Sequence, residues 1–181
     1  AIQYHLTFWT SRTTPNGLAF PLATVALTHV VHGRHAYKGL ALLAATAMML
    51  RLELVCLAVP AYLWTWWHHQ RRFVYVFMTG AVTCAGSIAL SVLVDSYFWR
   101  KRFLWPEGHA VIFNVIEGRS AEWGVSPPWT YVVRDLPRIL FAAFPLALLG
   151  CTRRSSFRSP LVLLICTHVG LMSFLAHKEW R

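Results

Sequence analysis

The sequence predicts an all-α fold of polytopic membrane helices, with one long polar loop that carries an interfacial helix. Three observations predict it. The chain is 56% hydrophobic with a mean hydropathy of +0.47, more apolar surface than a soluble domain of 181 residues ordinarily hides. Its apolar residues come in continuous runs rather than in alternation, which favours helices over half-buried strands. Only the segment 95–138 is both long and neither apolar nor a short connector. It holds five of the seven acidic residues, Asp95, Glu107, Glu117, Glu122 and Asp135, interleaved with arginines and with Trp99, Trp105, Trp123 and Trp129.

Composition narrows the class further. The net charge of +10 suits nucleic acid as a partner, but basic residues beside apolar runs explain it more simply, so no nucleic-acid partner is expected. Cys56, Cys84, Cys151 and Cys166 sit inside apolar runs without CxxC spacing and read as small buried hydrophobes. His68 and His69 are adjacent, and no HxxxH or DxD pattern appears, so no metal is expected. No glycine loop cradles a phosphate. Residues 1–16 contain Arg12, Pro15 and Asn16 and do not read as a secretory signal. The start at Ala1 and the stop at Arg181, just after an apolar run, suggest an internal piece of a longer protein.

Taken in order, the elements form one transmembrane domain over residues 1–181, with spans at about 18–31, 39–50, 54–67, 73–94, 130–151 and 160–176. Pro15 and Asn16 are turn and cap residues, which starts a helix near Gly17. The run 39–67 is divided by Arg51-Leu52-Glu53 and reads as two short helices, a single long helix with a central ion pair being the alternative. Phe73–Val94 is the clearest span, 22 residues without a charge, ending at Asp95. The loop 95–129 follows. In it, Trp105-Pro106-Glu107-Gly108 reads as a helix start, with proline in the first turn and an acid at the positive end of that helix's dipole. The mostly apolar 109–117 then lies along the membrane surface until Gly118, and Gly124-Val125-Ser126-Pro127-Pro128 is a turn.

If 39–67 crosses twice, the connectors 32–38, 68–72 and 152–159 share one side, with seven Lys/Arg and no acid. Arg12, Arg51, Glu53, the 95–138 loop and His177–Arg181 share the other, with ten Lys/Arg and all seven acids. The positive-inside rule puts the first set in the cytoplasm and the second in the lumen or exterior. Mixed-charge motifs converging on one face suggest a site.

Arg12, His177, Lys178 and Arg181 can hold a phosphate, the plainer alternative being headgroup anchors. Arg51 and Glu53 are two residues apart and do not face each other on one helix, so each needs a partner elsewhere. Asp95, at a helix–loop junction, can act as a base or a positioning carboxylate, or as a cap or the counter-ion of Arg100 or Arg102. Glu107 reads as a local helix-start residue. Loop tryptophans can stack on sugar or isoprenoid faces, and interfacial anchoring is the reading favoured for Trp99 and Trp105.

The motifs carry a resemblance. His177-Lys178-Glu179-Trp180-Arg181 matches an HKExR segment and Arg51-Leu52-Glu53 a second element. With Phe8–Asn16, Val94–Trp99, Trp105–Gly108, Trp123–Pro127 and Leu136–Arg138, the sequence resembles the dolichyl-phosphate-mannose-dependent mannosyltransferases of the endoplasmic reticulum, polytopic GT-C-type enzymes, and within them the α-1,6-linking members. Val125, Ala176 and Glu122 depart from the pattern, where threonine, proline and asparagine are expected.

The resemblance implies a multi-pass endoplasmic-reticulum enzyme moving mannose from dolichyl-phosphate-mannose to a dolichol-linked oligosaccharide, without cofactor or metal. It implies His177, Lys178, Arg181 and Arg12 at the donor phosphate. Asp95, Arg51, Glu53, Trp123, Gly124, Ser126 and Pro127 would shape the acceptor side, with the catalytic base upstream of Ala1. GPI-anchor or α-1,2 mannosyl transfer and a non-enzymatic lipid-binding or transport protein are the alternatives.

Overall fold

A computed structural model describes residues 14–152 and 159–174, and apart from the side chain of Trp123 these are the residues discussed below. The first helix, α1 (Pro15–His32), starts where Thr14 Oγ1 accepts a hydrogen bond from Gly17 N at 3.2 Å. The proline at its first position loses nothing there, because that amide has no helical partner anyway. It ends at Gly33, whose φ of 71° suits a residue without a Cβ. Ala19, Ala23, Ala26 and Val30 form its buried face, spaced by threes and fours.

Small residues let the next helix, α2 (Ala36–Met49), approach closely. A Cβ at Gly39 would lie 2.5 Å from the carbonyl oxygen of Ala26. The core gathers where α2 meets α1, α3 (Val55–His68) and α4 (Phe73–Trp99), with Leu40 and Leu43 fully buried beside Val30, Leu57, Ala58, Ala61 and Val76. The divided run is therefore two helices. Between them Arg51 is extended (φ −155°, ψ 100°), and Leu52–Leu54 make one short helical turn.

The connectors fix the directions. At one end His69 Nε2 lies 2.9 Å from the Val30 carbonyl oxygen, and Arg71 donates to the Gly33 carbonyl at 3.3 Å while its guanidinium stands 5.6 Å from the centre of the Tyr37 ring. Connectors 32–38 and 68–72 thus lie against each other. At the other end, Trp105 Nε1 donates to the Met48 carbonyl at 3.0 Å, beside the α2–α3 break. The helices α1, α2, α3 and α4 run alternately between these two ends.

Phe73–Trp99 is the one helix among the described residues long and apolar enough by itself to cross a membrane. At ~1.5 Å per residue it is about 40 Å long, against a hydrocarbon core of about 30 Å. It is five residues longer than the apolar run predicts, so Asp95 lies inside the helix rather than at a junction. Residues 95–99 contain no breaker, and the helix closes only where Arg100 turns left-handed (φ 53°). Most of α4 is uncovered, with Val74 65% and Leu93 70% exposed.

After α4 come α5 (Pro106–Val111), a wider π-type turn (Ile112–Ile116) and a short turn (Arg119–Trp123). The predicted continuous run through 130–151 is broken: a π-type turn (Tyr131–Asp135) and α6 (Leu136–Leu140) precede α7 (Ala143–Thr152), with Phe141 at φ 46° between them. Pro145 supplies the reason, since a proline conflicts with the carbonyl four residues before it, here that of Phe141. The last described helix, α8 (Pro160–Ser173), packs on α3 and adds Leu164, 1% exposed, to the core.

The stitched connectors make a local prediction. Gly33→Ala should cost about 1–2 kcal/mol for the left-handed backbone, plus the clash of a Cβ placed 2.6 Å from the His69 ring. Gly118→Ala, at φ 66° in open space, should show only the first effect. Thermal unfolding of the two variants in nanodiscs checks the difference.

Candidate functional site

A helix break inside a bundle leaves backbone amides without helical partners. Here the partner comes from 55 residues away. Glu107 Oε2 accepts from the Leu52 amide at 2.8 Å, capping the short turn that leads into α3. The Trp105 indole holds the Met48 carbonyl just before the break, so Trp105 and Glu107 grip both sides of it. Gly108 lets the Trp105 ring lie against its own backbone, because a Cβ there would collide with that ring. These contacts add to two sequence readings. Glu107 stands in the first turn of α5 as expected but serves a different helix, and the half-buried Trp105 ties two elements together.

Within the break, Arg51 and Glu53 pair with each other, Nη2 to Oε1 at 3.1 Å. The expectation that they face apart assumed a helix. Arg51 is extended and stands just before the Leu52–Leu54 turn, outside any α-helix, so helical spacing does not govern the pair. Among the described residues, the other carboxylate oxygen of Glu53 is buried without a hydrogen-bond partner, as is Nδ1 of His168 on α8. The Glu53 charge acts on His168, which places the second half of α8 at this end of the bundle. Neither His168 nor the reach of Glu107 has a signal in local spacing.

Burial pushes the Glu107 carboxyl above its ordinary value. The Glu53 charge adds to this, while the Leu52 amide and Arg51 oppose it. Beside it opens a cleft of about 330 Å³ lined by Leu52, Phe103, Trp105, His109 and Ile112. One wall belongs to the α2–α3 break and the other to the docked loop.

The remaining predicted residues have separate local settings. Asp95 Oδ2 accepts from Ser91 Oγ at 2.6 Å, one helical turn back, and forms no ion pair among the described residues, so it is not the counter-ion of Arg100 or Arg102. One residue on, Ser96 Oγ accepts from the Leu104 amide at 2.9 Å and folds the loop back onto α4. Gly124 stands at φ 110°, and Pro127 offers its carbonyl to Thr130 Oγ1 at 2.6 Å, so the Gly124–Pro128 turn ends on a cap. Arg119 binds Glu122 at 2.7 Å and lies 4.4 Å from the centre of the Phe113 ring; its hydrogen bond holds Glu122 below the usual carboxylate range. Asp135, 2% exposed, pairs with Arg134 at 2.7 Å. Arg12, His177, Lys178 and Arg181 lie outside the described residues. Among the described residues, no group of three His, Cys, Asp or Glu side chains is placed to hold a metal ion.

Fold and site together define a class: an all-α bundle with an apolar periphery and a charged, aromatic loop docked at one end. The chain belongs to the Alg9-like mannosyltransferase family, whose profile matches residues 1–181. It is 33% identical over 99% of its length to a probable Dol-P-Man:Man(7)GlcNAc(2)-PP-Dol alpha-1,6-mannosyltransferase of Schizosaccharomyces pombe, covering 32% of that protein. It is 34% identical over 99% of its length to the Drosophila melanogaster enzyme of that name, covering 26% of it. A GPI alpha-1,2-mannosyltransferase 3 of Danio rerio is 30% identical over 52% of the chain and 18% of the relative. The chain thus spans a quarter to a third of the first two relatives. No solved structure matches it.

The sign of the Glu107 shift makes a prediction. A carboxyl raised in the folded state favours the fold fully below its ordinary value of 4.5, and loses that contribution as pH rises through the folded value. Glu107→Gln keeps an oxygen for Leu52 without a buried charge. Its thermal stability should match that of the wild type below pH 4.5 and exceed it increasingly as pH rises. Melting curves across that range check this.

Proposed function

We propose that the complete protein transfers mannose from dolichyl-phosphate-mannose to a dolichol-linked oligosaccharide, forming an α-1,6 linkage with inversion, as a multi-pass enzyme of the endoplasmic reticulum membrane. The observation that carries this reading is agreement along nearly the whole chain with relatives named for that reaction. The GPI relative, named for an α-1,2 linkage, agrees over 52% of the chain, which favours the α-1,6 reading.

Physical features support a bilayer as the medium. The uncovered apolar sides of the helices suit lipid, where every backbone amide must be satisfied within the protein. In this reading α2 and α3 cross as a hairpin. The basic connectors 32–38 and 68–72 face the cytoplasm, and the Arg51–Glu53 break and the docked loop face the lumen, where the saccharide lies.

The residues divide by the chemistry they offer. His177, Lys178, Arg181 and Arg12 supply positive charge and hydrogen-bond donors to the donor phosphate, neutralising the leaving group as the sugar–phosphate bond breaks. Arg51, Glu53, Asp95 and the Trp123, Gly124, Ser126 and Pro127 turn shape the acceptor side, where carboxylates accept from sugar hydroxyls and an indole face stacks on a pyranose.

Two measurements test this. Purified complete protein should move radiolabelled mannose to the lipid-linked oligosaccharide in a linkage that an α-1,6-specific mannosidase removes. Label released by an α-1,2-specific enzyme contradicts the linkage. Replacing His177 and Lys178 together by alanine should lower transfer at least about tenfold, since each hydrogen bond to a charged group contributes roughly 1.5–3 kcal/mol. Wild-type transfer by that variant contradicts the phosphate role.

A further inference from the structure

The geometry points to Glu107 as a positioning residue for the acceptor side of the reaction. It acts through the Leu52 amide on the Arg51–Glu53 pair, and the inference rests on the transfer reaction proposed above. The observation is the grip itself. Arg51 and Glu53 stand on a break where the Arg51 amide binds back to Thr46 and the Leu54 amide to Arg51, while the Leu52 amide between them is held by a side chain from elsewhere. Leu52 lies between them, and its amide is fixed by the Glu107 carboxylate at 2.8 Å. Trp105 fixes Met48 at 3.0 Å on the other side of the break. With Leu52 pinned between them, Arg51 is extended ahead of the short turn and meets Glu53 at 3.1 Å.

The break is not arranged for stability alone. Glu53 Oε2 and His168 Nδ1 are buried without hydrogen-bond partners among the described residues, and Glu107 is itself a partly buried carboxylate. Such groups cost stability and collect where orientation matters more than stability. Glu107 faces Glu53, Arg51 and the Leu52 amide, and the cleft beside it has one wall on Leu52 and the other on Trp105 and His109. Releasing Glu107 lets the two walls separate and frees Arg51 to rotate away from Glu53. Those residues are assigned to the acceptor, so the loss falls on acceptor recognition and leaves the donor phosphate site unchanged.

The test uses the complete enzyme in nanodiscs, with Glu107→Ala, Glu107→Asp and Glu107→Gln compared under separate titrations of dolichyl-phosphate-mannose and lipid-linked oligosaccharide. Leaving one buried amide unsatisfied should raise the acceptor KM of the alanine variant about tenfold. Its kcat and its donor KM should stay within about twofold of wild type. Aspartate, one methylene short of Leu52, should behave like alanine although it keeps the charge, and so it reads the same contact should the alanine variant fail to fold. Glutamine, which keeps an oxygen at the same reach, should restore the acceptor KM. Hydrogen exchange at the Leu52 amide should quicken in alanine and aspartate and stay slow in glutamine.

Unchanged acceptor KM in alanine and aspartate overturns the inference while wild-type transfer upholds the reaction. So does a parallel rise in the donor KM, or a loss that glutamine does not repair. A wild-type enzyme that transfers no mannose overturns the functional reading and takes this inference with it.

Discussion

The structure turns on a backbone problem at Leu50–Leu54. Two apolar helices meet there end to end. The Leu50 and Arg51 amides still bind the Thr46 carbonyl and the Leu54 amide that of Arg51, but the Leu52 amide turns to a side chain from elsewhere. In water the solvent would serve it. At this half-buried end of the bundle an amide left unsatisfied costs up to roughly 1–3 kcal/mol, enough to matter against the ~5–15 kcal/mol by which most folds are stable. Glu107 answers the problem from 55 residues away, at 2.8 Å, and in doing so brings the polar loop back to the bundle.

That contact orders much of what surrounds it. Docking Glu107 and Trp105 at the break gathers Arg51, Glu53, His168 and the 103–112 segment at one end of the bundle. The opposite end is closed by a different chemistry, in which His69 and Arg71 hold backbone carbonyls of the α1–α2 connector. Arg34, Lys38 and Arg72 are exposed there, and no acidic residue lies between 54 and 94 or before 53. Among the described residues the two ends therefore differ in charge, one basic and the other mixed. Such a difference suits a protein oriented across a membrane, with polar chemistry on one side only.

Local chemistry was legible in the sequence wherever it is local in the chain. Pro106 starts a helix, Pro15 and Asn16 mark the start of another (expected near Gly17, found at Pro15 with Thr14 as its cap), Gly118 ends a segment, and Arg51-Leu52-Glu53 divides a run that would otherwise be one helix. What was not legible is contact at long range. No spacing rule links Glu107 to Leu52 or Trp105 to Met48, because the partner is a backbone group and any residue type supplies one. Polarity misleads at Asp95, where the sequence suggests the start of a loop. A single carboxylate bonded to a serine one turn back sits well inside a helix, and α4 runs on to Trp99. The break at Phe141 was within reach, since Pro145 stands four residues on, yet Pro21 and Pro60 lie inside α1 and α3 without breaking them. A proline shows where a helix can yield, and packing decides whether it does.

The central claim is that the docked loop and the basic connectors lie on opposite sides of a membrane. Glycosylation acceptor sites inserted singly after Gln70 and after Ser120 in the complete protein, expressed in microsomes, test it most directly. The account predicts glycan on the Ser120 site and none on the Gln70 site. Glycan on the Gln70 site with none on the Ser120 site, or on both, would contradict it.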